Sequence, residues 1–322
     1  MDVMVVNRDD EFFIAIGKKG IHSFVMLGVM KNNMPFLLAR VGKTNSIDED
    51  FGRGLCSQGK LAVKAIVSQT KSALQEEPLL LQGHISYSAY AIGYEHCIQF
   101  LKLIALSQRI HAINAYQPVR EDDAGVVMEK KALPRAPIEE ADVKQRNIIE
   151  RSHSLHINNT CRSTAIDLIE YTQNISHLTD NVSSAFFRDL PVSVLFSEGK
   201  PNKYFYVFPL PPNAHDADQE KMAILTKIYK RMENLLKKDL YGENTIQKFQ
   251  ALKTLYNQQA GLPNGSLNEA LDSIRQWRQD NQSVISQLRA QSFLGRLFVF
   301  KSSTEAMADN IENALAMGLN IY

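Results

Sequence analysis

A chain of 322 residues has room for two ordinary domains, or for one domain carrying a helical extension, and 44% hydrophobic against 22% charged residues is the balance of a globular protein with a real core. The formal net charge of +1 offers no field to steer the chain toward nucleic acid or a membrane surface. Three cysteines, Cys56, Cys97 and Cys161, lie far apart with no C-x-x-C pair, which argues against a zinc ribbon or redox dithiol and for a cytosolic, reducing compartment.

The N-terminal stretch "MDVMVVNRDDEFF" lacks the basic flank and continuous apolar run of a signal peptide, and "FVMLGVM" is too short to span a bilayer, so no transmembrane segment is expected. Residues 1–43 read as a small antiparallel sheet: "EFFIAIG", "HSFVMLGVM" and "FLLARVG", with the last two joined by a tight turn at "KNNM". The stretch "GKLAVKAIVSQTKSALQ" reads as a helix ending near Pro78. "HISYSAYAIG" alternates as a strand, and "YEHCIQFLKLIALSQ" follows with helical spacing. Residues 117–152, rich in charge and proline, are expected to form an extended insertion with one exposed helix, a candidate lid. A helix over "CRSTAIDLIEY" comes next, then two strands, "PVSVLF" and "YFYVFPLPP".

Beyond Asn213 everything reads as helix. Met222, Leu225, Ile228, Tyr229, Met232, Leu235 and Leu236 form one stripe, a second helix stops at Gly261, and "SLNE" (Ser266–Glu269) and "SSTE" (Ser302–Glu305) are capping-box patterns opening two more. The expected fold is α+β: a sheet-and-helix domain over 1–212 and a C-terminal helical bundle over 213–322.

The chemistry centres on Cys161. With Asn159 as N-cap, Thr160, Cys161 and Arg162 fall in the first helical turn, where free N–H groups and the dipole favour a thiolate, and the Cys161 N–H is placed to hold an oxyanion. The same spacing puts Cys161 on one stripe with Ala165, Leu168 and Ile169, so a buried, inert cysteine is the competing reading. A nucleophile needs a base. Of eight histidines, His22 and His84 begin strands, while His153 and His156 belong to a loop and the others carry no motif. If the nucleophile's helix covers the core face of the sheet, the base projects from that face; His22 shares its face with Phe24 and Met26, whereas His84 shares its face with Ser86 and Ser88, so His22 is favoured. "GKKG" and "RVGKT" do not complete a phosphate-binding loop, and no ligand spacing for a metal is present, so no cofactor is expected.

The order histidine strand, sheet, helix, loop, cysteine helix resembles that of circularly permuted papain-like enzymes. "HSFVMLG" resembles the H-x-x-hydrophobic-x-L-G strand of the lecithin retinol acyltransferase family, and "NNTCRSTAIDLIE" resembles the N-C-x-[ST] helix start of that family and of PPPDE-type deubiquitinases. The resemblance spans roughly residues 12–172 and implies a cysteine-dependent hydrolase or acyltransferase acting on an amide, isopeptide or acyl ester of a protein substrate, with Cys161 as nucleophile and His22 as general base. Where the acyltransferases place a second histidine to orient the base, this chain has Arg40, which cannot accept the imidazole N–H. His84, an asparagine such as Asn158, or a backbone carbonyl is left for that role, with Asn158 and Asn159 the candidates around the oxyanion site. The alternative is a pseudoenzyme that binds a partner protein through its helical domain. "STEAMADNIENALAMGLNIY", with Glu305 and Glu312, is similar to the C-terminal signals of type IV secreted bacterial effectors, which implies action in a host cell.

Overall fold

The computed structural model describes residues 2–45, 70–77, 83–109, 112–176, 178, 181–197, 199–237, 239–287 and 301–317. The fold is α+β, with antiparallel sheets and a helical C-terminal region, and it divides into Met1–Val207 and Phe208–Tyr322, a few residues before the expected boundary at 213.

The first unit contains, in chain order, β1 (Val3–Val6), β2 (Phe12–Lys19), β3 (His22–Lys31), β4 (Met34–Asn45), β5 (Thr70–Glu76), β6 (Gly83–Ile92), α1 (Tyr94–Leu106), β7 (Asn114–Asp122), β8 (Gly125–Ala132), α2 (Val143–Ser152), β9 (Ser154–Leu155), α3 (Cys161–Gln173), β10 (Val192–Ser197) and β11 (Lys200–Pro201). Its main sheet is larger than the sequence suggests: eight strands in the order β11-β10-β6-β2-β3-β4-β5-β9. Every neighbouring pair in it is antiparallel. The β3–β4 turn is carried by Asn32 and Asn33, both with positive φ (51° and 61°), as a two-residue turn matching the strand twist requires.

β2 and β3 are buried along nearly their whole length because both faces of the sheet are covered. On one face α1 brings Tyr94 against Phe12 (5.7 Å between ring centroids), and α3 reaches Ser23 of β3 and Lys43 of β4 through hydrogen bonds. On the other face Phe205 stacks on Tyr87 (4.3 Å, 4° between planes) and tilts against Phe13 (5.1 Å). The segment around Phe205, expected as a strand, lies in neither sheet; the Tyr206 N–H donates instead to the Tyr87 hydroxyl at 2.8 Å, so the chain covers the sheet without pairing with it.

Two other expectations are corrected. Thr70–Glu76 is a strand between β4 and β9, although Ala, Leu, Gln and Glu favour helix; pairing with β4 along Val41–Asn45 outweighs that propensity, and the rest of the expected helix lies outside the described residues. Residues 117–152 are not an extended stretch: β7 and β8 form a hairpin that pairs with β1 in a second sheet, β1-β8-β7, and the expected exposed helix follows as α2, with a capping box between Asp142 and Gln145.

The second unit holds α4 (Gln219–Leu236), α5 (Glu243–Gly261), α6 (Leu267–Asp280), α7 (Gln282–Ile285) and α8 (Ser303–Ala316). The stripe from Leu225 to Leu236 is buried, with Ile224 taking the place expected of Met222. The Trp277 indole N–H donates to the Ala251 carbonyl at 2.8 Å, joining α6 to α5. The Ser302–Glu305 capping box forms; that at Ser266–Glu269 does not, because the Ser266 hydroxyl donates to the Pro263 carbonyl. Glu305 is held by this cap, and Glu312 pairs with Arg275 and Arg278 at 3.1 and 3.0 Å, so both glutamates have partners within the helical unit. Among the described residues no helix is long and apolar enough to cross a membrane.

Phe205→Ala should remove the stack on Tyr87 and leave a cavity against Phe13. We expect unfolding free energy to fall by about 3–5 kcal/mol, read from the urea midpoint.

Candidate active site

Thr160, and not Asn159, caps α3: its backbone is extended and its hydroxyl accepts from the Ser163 N–H at 3.3 Å. Cys161 is therefore the first helical residue, and its own N–H is among those with no acceptor inside the helix. The helix start lies at the end of β3. The Cys161 Sγ accepts from the Ser23 N–H at 3.3 Å and lies 3.9 Å from the Ile21 carbonyl oxygen, on either side of His22 in sequence.

With its sulfur held on the backbone either side of His22, Cys161 acts on the imidazole, and the imidazole on the thiol, each shifting the other's pKa toward the charged form. On its far side, the His22 Nε2–H donates to the Glu77 Oε1 at 2.6 Å, which leaves Nδ1 as the nitrogen facing the thiol. The residue that meets the far side of the ring is Glu77, directly after β5. The Glu77 N–H donates to the Arg40 carbonyl at 3.3 Å, so the strand position that lacks a histidine supplies the backbone acceptor that seats the carboxylate.

The geometry depends on a missing side chain. Gly42 lies between the two partners: a Cβ there would strike the Glu77 carboxylate and come within 2.8 Å of His22 Nε2. His22 also lies along the ring of Phe24 (6.3 Å, 21°). This face of the sheet is the one opposite α3, which overturns the expectation that the base shares the helix-covered face. Ser23 and Lys43 point to the helix; His22, as the first residue of β3, meets Cys161 around the end of the sheet.

Burial opposes a charge on His22, but the bonds to Cys161 and Glu77 outweigh it and raise the imidazole to about 10. Burial likewise opposes the Cys161 thiolate, and the bond and charge of His22, the Ser23 N–H and the charge of Lys43 together bring the thiol below its ordinary value. Both shifts favour the thiolate–imidazolium form of the pair. Cys97, buried on α1, is pushed up to about 12 by burial alone.

Around this pair, the fully buried Arg162 donates from Nε to the Ser23 hydroxyl at 2.9 Å and from its terminal nitrogens to the carbonyls of Ser183 (3.3 Å) and Arg188 (2.9 Å). Lys18 pairs with Asp189 at 2.6 Å, and the Leu190 N–H donates to the Ser86 hydroxyl at 3.0 Å. The 183–190 segment is thereby fixed over the strand ends beside the thiol.

The remaining sequence candidates do not join the site. His84 is exposed on β6, opposite Leu195, with β2 between its strand and β3, and it does not orient His22. Asn158 is exposed, its N–H donating to the His156 ring at 3.3 Å. Asn159 is buried and its amide is consumed: Nδ2 donates to the Arg151 carbonyl and to Ser154, and Oδ1 accepts from Lys43, so it secures the turn and cannot hold an oxyanion. Glu77 escaped sequence reasoning because its neighbourhood looked helical. The signal that could have found the pocket is Gly42, a glycine inside an apolar strand, which marks a close approach.

No protein-family model, no curated protein and no solved structure matches this chain.

Two outcomes follow for chemical labelling. Iodoacetamide at neutral pH should alkylate Cys161 in the folded chain and leave Cys97 unmodified, as located by peptide mass mapping. Gly42→Ala, by parting His22 from Glu77, should slow Cys161 labelling about tenfold, the equivalent of one pKa unit.

Proposed function

We propose that this chain is a cysteine-dependent hydrolase or acyltransferase, acting on an amide, isopeptide or acyl ester, with Cys161 as nucleophile, His22 as general base and acid, and Glu77 as the residue that orients and charges His22. The observation that carries this reading is the placement of the Cys161 sulfur on the backbone either side of His22, at the Ser23 N–H (3.3 Å) and the Ile21 carbonyl (3.9 Å), with the His22 ring bonded to the Glu77 carboxylate at 2.6 Å. A half-buried thiol beside a half-buried imidazole has little packing value; it is a useful reactive pair, since the thiolate attacks and the imidazolium protonates the leaving group. The Cys161 N–H at the start of α3 is placed for the oxyanion of the tetrahedral intermediate. Acyl transfer to water gives hydrolysis, and transfer to another acceptor gives the acyltransferase.

The case for a pseudoenzyme rested on Arg40 standing where an acceptor is needed. Glu77 supplies that acceptor, so the enzyme reading is the better supported. Action on a host protein, after secretion through a type IV system, stays with the resemblance of the C-terminal stretch.

The test is an activated acyl ester with a chromogenic leaving group. We expect a burst of about one equivalent per chain, with the acyl group found on Cys161 by mass spectrometry. Folded Cys161→Ala should give none; an undiminished burst from it would overturn the assignment. Because His22 is raised, its proton is retained through neutral pH and lost only on passing about 10, so kcat/KM should fall there on the alkaline side. Because Cys161 is lowered, the acid limb should fall below the ordinary thiol range. Glu77→Gln should move the alkaline limb downward.

A further inference from the structure

Lys43 is buried, with 3% of its surface exposed, and its ammonium lies within hydrogen-bond distance of four oxygens: the Arg151 carbonyl (2.9 Å), the Asn159 carbonyl (3.0 Å), the Asn159 Oδ1 (2.9 Å) and the Thr164 hydroxyl (3.1 Å). These acceptors come from the last turn of α2, the turn ahead of α3 and the first turn of α3. All four are neutral. Removing an ammonium from water is expensive unless a counter-charge is near, so the surrounding charges decide what this lysine does.

The titratable groups that face it are Cys161 and Asp167 on α3, Arg151 on α2, and His153 just beyond α2. Arg151 and Asp167 pair with each other at 3.1 Å. Burial keeps His153 on the neutral side. The anion left to answer Lys43 is the Cys161 thiolate.

We propose that Lys43 is a positioning residue for the nucleophile: it clamps the turn that delivers Cys161 to His22, and it serves as a second cation, after His22, for the thiolate. The inference rests on the reading of Cys161 as a thiolate. Two reciprocal effects support it. Burial brings Lys43 down to about 7 and the Cys161 charge acts against that fall, while the Lys43 charge acts to lower Cys161. The occupant of this place in the sheet is also informative. Lys43 stands on β4 facing the helix, where its strand neighbours Ala39 and Val41 are apolar core residues, so packing alone would favour an apolar side chain.

The test compares the pH dependence of Cys161 alkylation in the native chain and in Lys43→Met, with folding checked by circular dichroism and thermal unfolding. We expect the midpoint to rise by about one pH unit in the variant, and labelling at acid-to-neutral pH to slow about tenfold. A merely structural lysine would change thermal stability and leave the midpoint in place; a folded Lys43→Met whose labelling profile overlays the native one overturns the proposal. Should Lys43→Met not fold, the same coupling is read from the other side. The Lys43 amine is titrated by NMR of isotope-labelled lysine in the native chain and in Cys161→Ser. Its midpoint should fall when the thiolate is gone, and an unchanged midpoint overturns the proposal. Native Cys161 labelling only in the ordinary thiol range would instead remove the nucleophile reading, and this proposal with it. Fast native labelling together with an unaltered Lys43→Met profile removes this proposal alone.

Discussion

The bond between His22 and Glu77 is the contact on which the proposed chemistry of this chain depends. A carboxylate 2.6 Å from the far nitrogen favours the imidazolium, and the imidazolium in turn lowers the Cys161 thiol. Charges taken out of water are stable only when paired and well bonded. In the proposed site the order carboxylate, imidazolium, thiolate alternates in sign, and the charge of Lys43 also lowers the thiol.

Much of the surrounding architecture serves to hold that line of groups. The absence of a side chain at Gly42 lets a ring on β3 and a carboxylate beyond β5 meet across β4. α3 is fixed independently, through Arg162 to Ser23 and through Lys43 and Asn159 to the end of α2. The residues expected to form a lid therefore include part of the foundation, because the Arg151 carbonyl at the end of α2 accepts from both Lys43 and Asn159.

How much of this was legible depends on which residues carried the signal. Alternating and continuous apolar runs marked β2, β3 and β6, and the Asn32–Asn33 pair marked its turn, since few residues accept two successive positive φ values. Cys161 and His22 were legible as a helix start and a strand start. Glu77 was not, because "TKSALQEE" has helical propensity and becomes a strand only through partners that are distant in sequence. Period-two alternation grouped His22 correctly with Phe24 and Met26 but could not show that a residue at a strand's end reaches around the sheet. Asn159 has the chemistry of a cap, yet burial beside Lys43 gives it a different set of partners, and the cap falls to Thr160.

The ionisation of Cys161 tests the account most directly. The ultraviolet thiolate absorbance of the folded native chain, less that of folded Cys161→Ser at the same pH, should correspond to one thiolate at neutral pH and persist below the ordinary thiol range. A difference that vanishes at neutral pH and emerges only where a free thiol titrates would show that His22 and Glu77 do not charge the sulfur, and the catalytic reading would be wrong.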